Sequence, residues 1–560
     1  MNPITARPAS DVAAPEQAAP RRSIVAHLTW AVPTVVAAAL GLLEIGVPQL
    51  WRDELASWSV ASRTVPQLWA TVHNIDAVLG LYYFGLHLWM AVFGNSATAM
   101  RLPSAIAMAA SAGVVALIGR RLGGLTAGLA SGLVFALVPS VSRFAQEARP
   151  YAFAMFFATL ATLMFLRAVE RPTWSRWAIY AVVLAAAGAS NLVALSVASG
   201  HLIILLSDFL QHTVRIGGDG TVDSGKRLPG SRFASGSPLL LVTRFCVALV
   251  AGAVLVSPLV IEGHSQQGWQ IGTVATPHVA ELVGVSGGLW QELFASIPVA
   301  AAVMLLALAS LVAAPDTRRR SIAGYSLAFA IVPIVTVWLL SRGSQSYWTY
   351  RYMLFTIAGW SVGAGLCIAY LAERLKLARL ARLTRAISPR FTVAAVLVAV
   401  VGLLGIHDQL SIRQNEAHNL WAYPELPSNG QPVDYQAAAA VVAANERPGD
   451  GIVYQVSDQN HYQVDTSIAY YLRGKSIPTP VFQAQSQVQA NNLQPVECID
   501  PSACITGTPR IWVVYVNHLA PDPFSALAFP QESFLQTLGY LTQRSWQENG
   551  ITVALLTIGG

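Results

Sequence analysis

Eleven long apolar runs, near residues 24–47, 103–119, 124–141, 150–168, 176–190, 192–210, 239–261, 291–313, 321–341, 352–372 and 391–407, leave this chain few options. A bilayer core accommodates a helix of about 20 apolar residues, and a backbone in lipid must satisfy its own polar groups, so runs of this length read as spanning helices. With 54% hydrophobic and only 11% charged residues, the chain is too apolar for a water-soluble protein of 560 residues. The expected class is a polytopic α-helical membrane protein with about eleven transmembrane helices.

The formal charge of +6 falls in blocks between the runs. If the N-terminus is cytoplasmic, Arg120-Arg121, the Arg167–Arg176 stretch, the loop holding Lys226, Arg227 and Arg232, the triplet Arg318-Arg319-Arg320 and the basic run Arg374–Arg390 all lie inside. That is the asymmetry the positive-inside rule requires, and it gives no reason to invoke nucleic acid. Residues 1–23, rich in Ala and Pro with Arg21 and Arg22, read as a disordered cytoplasmic tail before a retained first span. The Gly- and Ser-rich stretch 211–238 reads as a flexible inner loop. Residues 48–102 form the first outer loop, in which Leu81–Phe93 is too short to cross and is expected to lie along the interface. The loop at 262–290 also falls outside.

Beyond residue 407 the composition turns polar. Strand-like runs at 452–456, 511–517 and 551–558 alternate with helix-like runs at 435–445, 466–472 and 532–538, which predicts an extracytoplasmic α/β domain over 408–560. Cys498 and Cys504 are close enough in sequence to bridge on that side, while Cys246 and Cys367 sit in apolar runs. No Cys or His spacing indicates zinc.

The chemistry concentrates where the first span ends, at Trp51-Arg52-Asp53-Glu54. Acidic residues beside a bilayer are costly unless they are solvated, paired or at work. The same outer face gathers Asp76, Tyr82 and Tyr83; Arg101; Arg143, Glu147 and Arg149; and Arg351 with Tyr352. Taken singly, Arg101 and Arg149 could reach lipid headgroups, the tyrosines could form an interfacial belt, and His73 and His87 read as structural. Together, guanidinium forks suit a phosphate and a carboxylate suits a hydroxyl proton.

WRDELASW, NIDAVLGLYYFGLHLWMAVFGNS, RLPSAIA, GRRLGG and FAQEARPYA follow one another over roughly residues 50–170, with TYRYMLFTIAG further on. This order resembles the bacterial membrane glycosyltransferases related to dolichyl-phosphate-mannose protein mannosyltransferases, of the GT-C fold, most of all their actinobacterial multi-span members. The resemblance implies transfer of a sugar, mannose first, from a polyprenyl-phosphate donor to an acceptor outside the cytoplasmic (inner) membrane, with inversion at the anomeric carbon. Asp53 would be the base, with Glu54 and Glu147 as further catalytic acids. Arg101, Arg149 and Arg351 would meet the donor phosphate, and Arg52, Asp76, Tyr82, Tyr83 and Tyr352 would line the substrate site. Where many relatives carry His-Pro-Pro before the paired tyrosines, this chain has Val78-Leu79-Gly80, which leaves the sugar open.

Arginine charge can stand in for a metal, so no cofactor is expected to be obligatory, although carboxylates at Asp53 and Glu147 leave a divalent cation possible. The acceptor is open between a glycolipid, a polysaccharide and a protein. Two competing readings are a transporter or flippase of a lipid-linked substrate, for which His201 and Asp208 are the main intramembrane candidates, and a non-catalytic partner in envelope assembly.

Overall fold

A computed structural model describes residues 20–218, 238–272, 274–284, 288–375, 389–415, 433–455, 462–505, 507–517 and 520–559. The expected first span folds as α1 (Pro20–Leu42). The first outer loop folds into α2 (Arg52–Ala61), α3 (Val65–Asn74), a 3₁₀ turn at Ala77–Leu79 and α4 (Gly80–Phe93). Next come α5 (Ala97–Leu137), α6 (Pro139–Ala145), α7 (Tyr151–Glu170), α8 (Trp174–Ser190), α9 (Val197–Gly218) and α10 (Pro238–Ile271). After the short α11 (Val279–Leu282) and α12 (Leu289–Phe294), the helices α13 (Ile297–Ala313), α14 (Thr317–Leu340), α15 (Ile357–Arg374), α16 (Pro389–Leu404) and α17 (Ile406–Ser411) complete the bundle.

Among the described residues, five helical stretches are long and apolar enough to cross a bilayer by length and composition: 97–137, 151–170, 239–268, 317–340 and 350–374. The 41 residues of α5 would reach about 60 Å as one rod, twice a hydrocarbon core. Instead the chain reverses at Gly124, whose φ of 85° and ψ of −171° only glycine takes easily. Gly119 then meets Ser131, and Gly128 meets Arg120, so closely that a Cβ at either glycine would lie under 3.0 Å from its neighbour. Small residues let the two arms approach, the usual device where lipid supplies no hydrophobic drive between helices. The apolar runs at 103–119 and 124–141 are these two arms.

Arginines also tie neighbouring bundle helices together. Arg121 pairs with Glu170, Arg319 with Glu373 at 2.5 Å, and Arg176 donates to the carbonyl of Arg167 at 2.7 Å. Several boundaries differ from the sequence reading. Residues 262–271, expected in a loop, continue α10, because the polar Glu262–Gln267 stretch is helical beyond the apolar window. Residues 211–218 of the expected inner loop continue α9. Residues 1–19, 219–237, 376–388 and 416–432, which hold most of the expected tail, the rest of that loop, the last basic run and the junction to the outer domain, lie outside the described residues.

The C-terminal domain carries a five-stranded mixed sheet in the order β2 (Thr479–Pro480), β1 (Gly451–Tyr454), β5 (Arg510–Val516), β7 (Ile551–Ile558), β6 (Tyr540–Glu548). β1 runs parallel to both of its neighbours, and β5, β7 and β6 pair antiparallel. The three strands legible in the sequence are β1, β5 and β7, which are buried; β6 is largely exposed, and its polar pattern hid it. Helices Tyr435–Asn445, Val464–Tyr471 and Phe529–Thr537 flank the sheet. Asp450 locks the entry to β1 by accepting from Arg510 and from the Trp512 indole at 2.8 Å each. Cys498 and Cys504 are joined by a disulfide, with 6.5 Å between their Cα atoms.

The domain sits directly on α2. Leu50, Leu55, Ala61, Leu86 and Met100 share one apolar core with Tyr435, Ile468, Trp512 and Val553. Two hydrogen bonds reinforce this core: the Tyr471 hydroxyl accepts the Leu50 N–H at 2.9 Å, and Gln49 donates to Asp434 at 3.2 Å.

Candidate functional site

α2 starts because Trp51 enters in extended conformation, and Asp53 and Glu54 occupy the first turn, where a carboxylate complements the exposed N–H groups. One turn of helix sends these neighbours in different directions, and their surroundings could hardly differ more.

Glu54 points inward and is wholly buried with Arg101. Arg101 Nε donates to Glu54 Oε1 at 2.8 Å and Nη2 to Oε2 at 2.7 Å. The remaining N–H groups go to the carbonyls of Ile45 at 2.9 Å, Pro48 at 2.7 Å and Gln49 at 3.2 Å. A guanidinium has five N–H donors, and all five are committed. Glu54 Oε1 also accepts the Ala148 N–H at 2.8 Å, tying the turn before α7 to the same brace. Arg101 and Glu54, expected at the donor phosphate and among the catalytic acids, are thus placed in this brace and not among the residues that line the cavity described next.

Asp53 points the other way, into a cavity of about 940 Å³ between the bundle, α2 and the outer domain. Its carboxylate is 17% exposed and faces three guanidiniums at loose range: Arg52 Nε at 3.4 Å, Arg149 Nη2 at 3.7 Å and Arg351 Nη2 at 3.9 Å. Burial would push its carboxyl up, but Arg149, Arg351 and Arg52 together hold it below the ordinary carboxylate value. Arg149 is held protonated well above its ordinary value: burial opposes its charge, and Asp53, Tyr151, Tyr83 and Asp76 together more than restore it. Arg149 Nη1 reaches Ser57 and the Tyr83 hydroxyl, both at only 3.4 Å, and its Nε is buried without a hydrogen-bond partner among the described residues. Arg351 lies over the rings of Trp51, Tyr151 and Tyr352, between 5.7 and 5.9 Å from their centroids, and its Nε is likewise unpartnered.

Arg52, Asp76 and Tyr352 line this cavity too. Tyr82 and Tyr83 do not. Tyr83 is buried and donates to Asp76 at 2.8 Å, so it acts behind the wall, and Tyr82 packs against Phe153. Asp76 takes a left-handed turn with φ of 62°, and Gln266 on α10 braces the same loop through the Ala77 N–H at 2.8 Å and the Val72 carbonyl at 3.1 Å. Glu147 is buried behind the cavity in a 2.5 Å ion pair with Arg143, and its Oε1 has no hydrogen-bond partner among the described residues. Burial raises its carboxyl above the ordinary value, against the pull of Arg143. Glu147, expected as a further catalytic acid, is thus not among the residues that line the cavity. His73 and His87 bond backbone carbonyls within the outer loop, as structural histidines do.

The cavity also takes residues that no motif announced: Asn191, His264 and Tyr347 from the bundle, and Gln463, Asn492 and Gln494 from the outer domain. Among the described residues, no three of His, Cys, Asp and Glu come together as a metal would need. His201, the intramembrane candidate for a transport path, is buried with both ring nitrogens engaged, at 3.1 Å to Thr162 and 3.0 Å to Tyr180, and stacks on Phe165. It packs the bundle. The side chain of Asp208 lies outside the described residues.

Residues 81–216 match the family model of dolichyl-phosphate-mannose-protein mannosyltransferases. No curated protein sequence matches the chain. Among solved structures, ArnT from Cupriavidus metallidurans in the apo state is similar at a TM-score of 0.54 and 13% identity, covering 95% of this chain and 98% of that one. The same protein bound to undecaprenyl phosphate gives 0.55 and 14%, covering 94% and 98%. The oligosaccharyltransferase of Archaeoglobus fulgidus in the apo form gives 0.45 and 12%, covering 89% and 70%. The chain thus shares its fold with ArnT over nearly the whole of both proteins, and the family resemblance drawn from its motifs overlaps the stretch the family model matches.

Proposed function

We propose that this protein is a multi-pass membrane glycosyltransferase that moves a sugar, mannose first among candidates, from a polyprenyl-phosphate donor to a hydroxyl acceptor on the extracytoplasmic side of the cytoplasmic membrane. The observation that carries the reading is Asp53, a buried-rim carboxylate kept ionised at the mouth of a large cavity by arginines that are near it but not spent on it. Distances of 3.7 and 3.9 Å are too long for hydrogen bonds and leave Arg149 and Arg351 free to take phosphate oxygens. A fold shared with a protein crystallised with undecaprenyl phosphate, and the partial family-model match, support that class of donor.

In this reading the donor phosphate enters among Arg149, Arg351 and Arg52, with the prenyl tail left in the bilayer. Asp53 takes the proton of the acceptor hydroxyl as its oxygen attacks the anomeric carbon, and the bond from that carbon to the phosphate oxygen breaks on the opposite face. The released phosphate keeps its arginines and needs no separate acid. A carboxylate held below its ordinary pKa is a poor base in the empty site. A bound phosphate would draw the same arginines to itself and loosen their hold on Asp53, so that base strength rises when the donor is in place. Guanidinium charge does the work for which a cation would otherwise be recruited, so no metal is obligatory, and transfer should survive chelation by EDTA.

The test is transfer of radiolabel from polyprenyl-phosphate mannose into membrane acceptors by the purified protein, compared with Asp53→Asn at matched expression. Loss of transfer in the variant with the fold retained supports the reading. Full transfer by the variant places the base elsewhere, and inertness of the parent towards this donor removes mannose. Against the transporter reading stands His201, whose ring nitrogens are both satisfied within the bundle.

A further inference from the structure

We infer that the acceptor is a neutral, hydroxyl-rich saccharide, read by an amide wall that the outer domain lends to the Asp53 cavity; the inference rests on the glycosyl-transfer reading for its chemistry, though not for its test. The cavity is chemically two-sided. Every charged side chain lining it belongs to the membrane portion or the first outer loop: Arg52, Asp53, Asp76, Arg149 and Arg351. The outer domain contributes only Gln463, Asn492, Leu493 and Gln494 among the described residues, none of them charged. An amide offers both a donor pair and an acceptor, and a sugar hydroxyl both gives and takes, so a row of amides suits a polyol and gives a charged acceptor no counterion.

The wall is built, not incidental. Arg63 Nη2 donates to the Asn492 carbonyl at 2.7 Å, Asn74 donates to the Asn491 carbonyl at 3.0 Å, and Ser59 donates to Gln487 at 3.0 Å. Leu493 packs on Val60, Leu68 and Val72. Three hydrogen bonds and an apolar anchor thus fasten this outer-domain loop to the loop that carries Asp53. Gln463 holds φ of 55°, a left-handed backbone region that a residue of its kind keeps only where the surroundings impose it. Gln463 Oε1 is fixed by Thr466 at 2.8 Å, which orients its amide, and the side chain of Gln494 makes no hydrogen bond among the described residues. A peptide acceptor fits less well. Among the described residues, no strand of the outer sheet lines the cavity, so an extended peptide has no ladder to join there.

The experiment is saturation-transfer NMR on the full chain in lipid nanodiscs, which needs no turnover. The probes are neutral manno-, gluco- and arabino-oligosaccharides, with a Ser/Thr-containing peptide of similar mass for contrast. At least one saccharide should be saturated by the parent and the peptide should not. Gln494→Leu should weaken the saccharide about 3- to 10-fold, the loss expected for one or two neutral hydrogen bonds, and Gln494→Asn should recover part of it. Melting curves of both variants show whether the fold is kept. Absence of binding by every saccharide at millimolar concentration, binding of the peptide alone, or unchanged affinity in Gln494→Leu overturns the inference. Donor consumption by the parent, measured separately, reports on glycosyl transfer itself, so the two failures are told apart.

Discussion

Two arginine–carboxylate groups share one turn of helix, and they have opposite characters. Around Glu54 every contact is short, every donor of Arg101 is used, and water is shut out. Around Asp53 three guanidiniums stand 3.4 to 3.9 Å away on the edge of a cavity. The first arrangement is what a fold needs, since a buried charge is tolerable only when fully matched. The second is what a site needs, because Arg149 and Arg351 keep donors that a ligand can take. Residue type alone does not separate structure from chemistry here; the state of the hydrogen bonds does.

The sharpest way to break the contrast is to neutralise each carboxylate in turn. Asp53→Asn should lower transfer by about 10²–10⁴ while the melting temperature stays near that of the parent, as expected for loss of a general base. Arg101→Met should do the reverse first: it strands Glu54 in the interior, at a cost of roughly 3–5 kcal/mol read by thermal unfolding in detergent. Adding Glu54→Leu to Arg101→Met should restore part of that stability. If Arg101→Met leaves stability intact and impairs only donor use, the division between brace and site is wrong.

Much of the helical architecture could be read from the chain, because lipid enforces long apolar runs. The Gly124 reversal was legible as two runs, since Arg120-Arg121 interrupts them. What escaped was polar helix. Gln266 and His264 look like loop residues, yet they lie on the continuation of α10 and help to build the cavity. β6 escaped for the same reason, an exposed strand with no alternating apolar face. At the site, the resemblance put Asp53 first as the base, but nothing in the sequence could separate Arg149 and Arg351 from Arg101, or tell that Glu54, Glu147 and Tyr83 do not line the cavity. A side chain's direction at a helix start follows from packing that lies 50 to 100 residues away, as when Glu54 meets both Arg101 and the Ala148 N–H. Gln463 and Asn492 gave no signal at all, because amides in a polar domain are ordinary until a cavity wall is seen to contain them.

A milder perturbation sharpens the Asp53 side. Arg351→Lys keeps the charge but removes the planar fork and its stacking on Trp51, Tyr151 and Tyr352. The KM for the polyprenyl-phosphate donor should rise by about tenfold, the scale of one charge-assisted hydrogen bond, with a smaller change in kcat. Equal effects of Arg351→Lys and Arg101→Lys on donor KM would mean that the two arginines do not differ in role.

The smallest expected effect is on pH dependence, and it bears most directly on why the arginines around Asp53 are loose. In the free protein the Asp53 carboxyl is depressed, since Arg149, Arg351 and Arg52 outweigh burial. A depressed acid is fully ionised above its ordinary value and loses its charge only as the pH falls through the lower, folded-state value. The acidic limb of kcat/KM reports the free enzyme, and should therefore lie below the ordinary aspartate range. The limb of kcat reports the enzyme with donor bound, where the donor's phosphodiester monoanion competes for the same guanidiniums. Its midpoint should move to higher pH than that of kcat/KM. Removing one guanidinium by Arg149→Gln should raise the kcat/KM midpoint as well, bringing the two limbs together. Limbs that coincide in the parent would mean that donor phosphate does not share the arginines with Asp53, and the loose 3.7 and 3.9 Å contacts would then need another occupant.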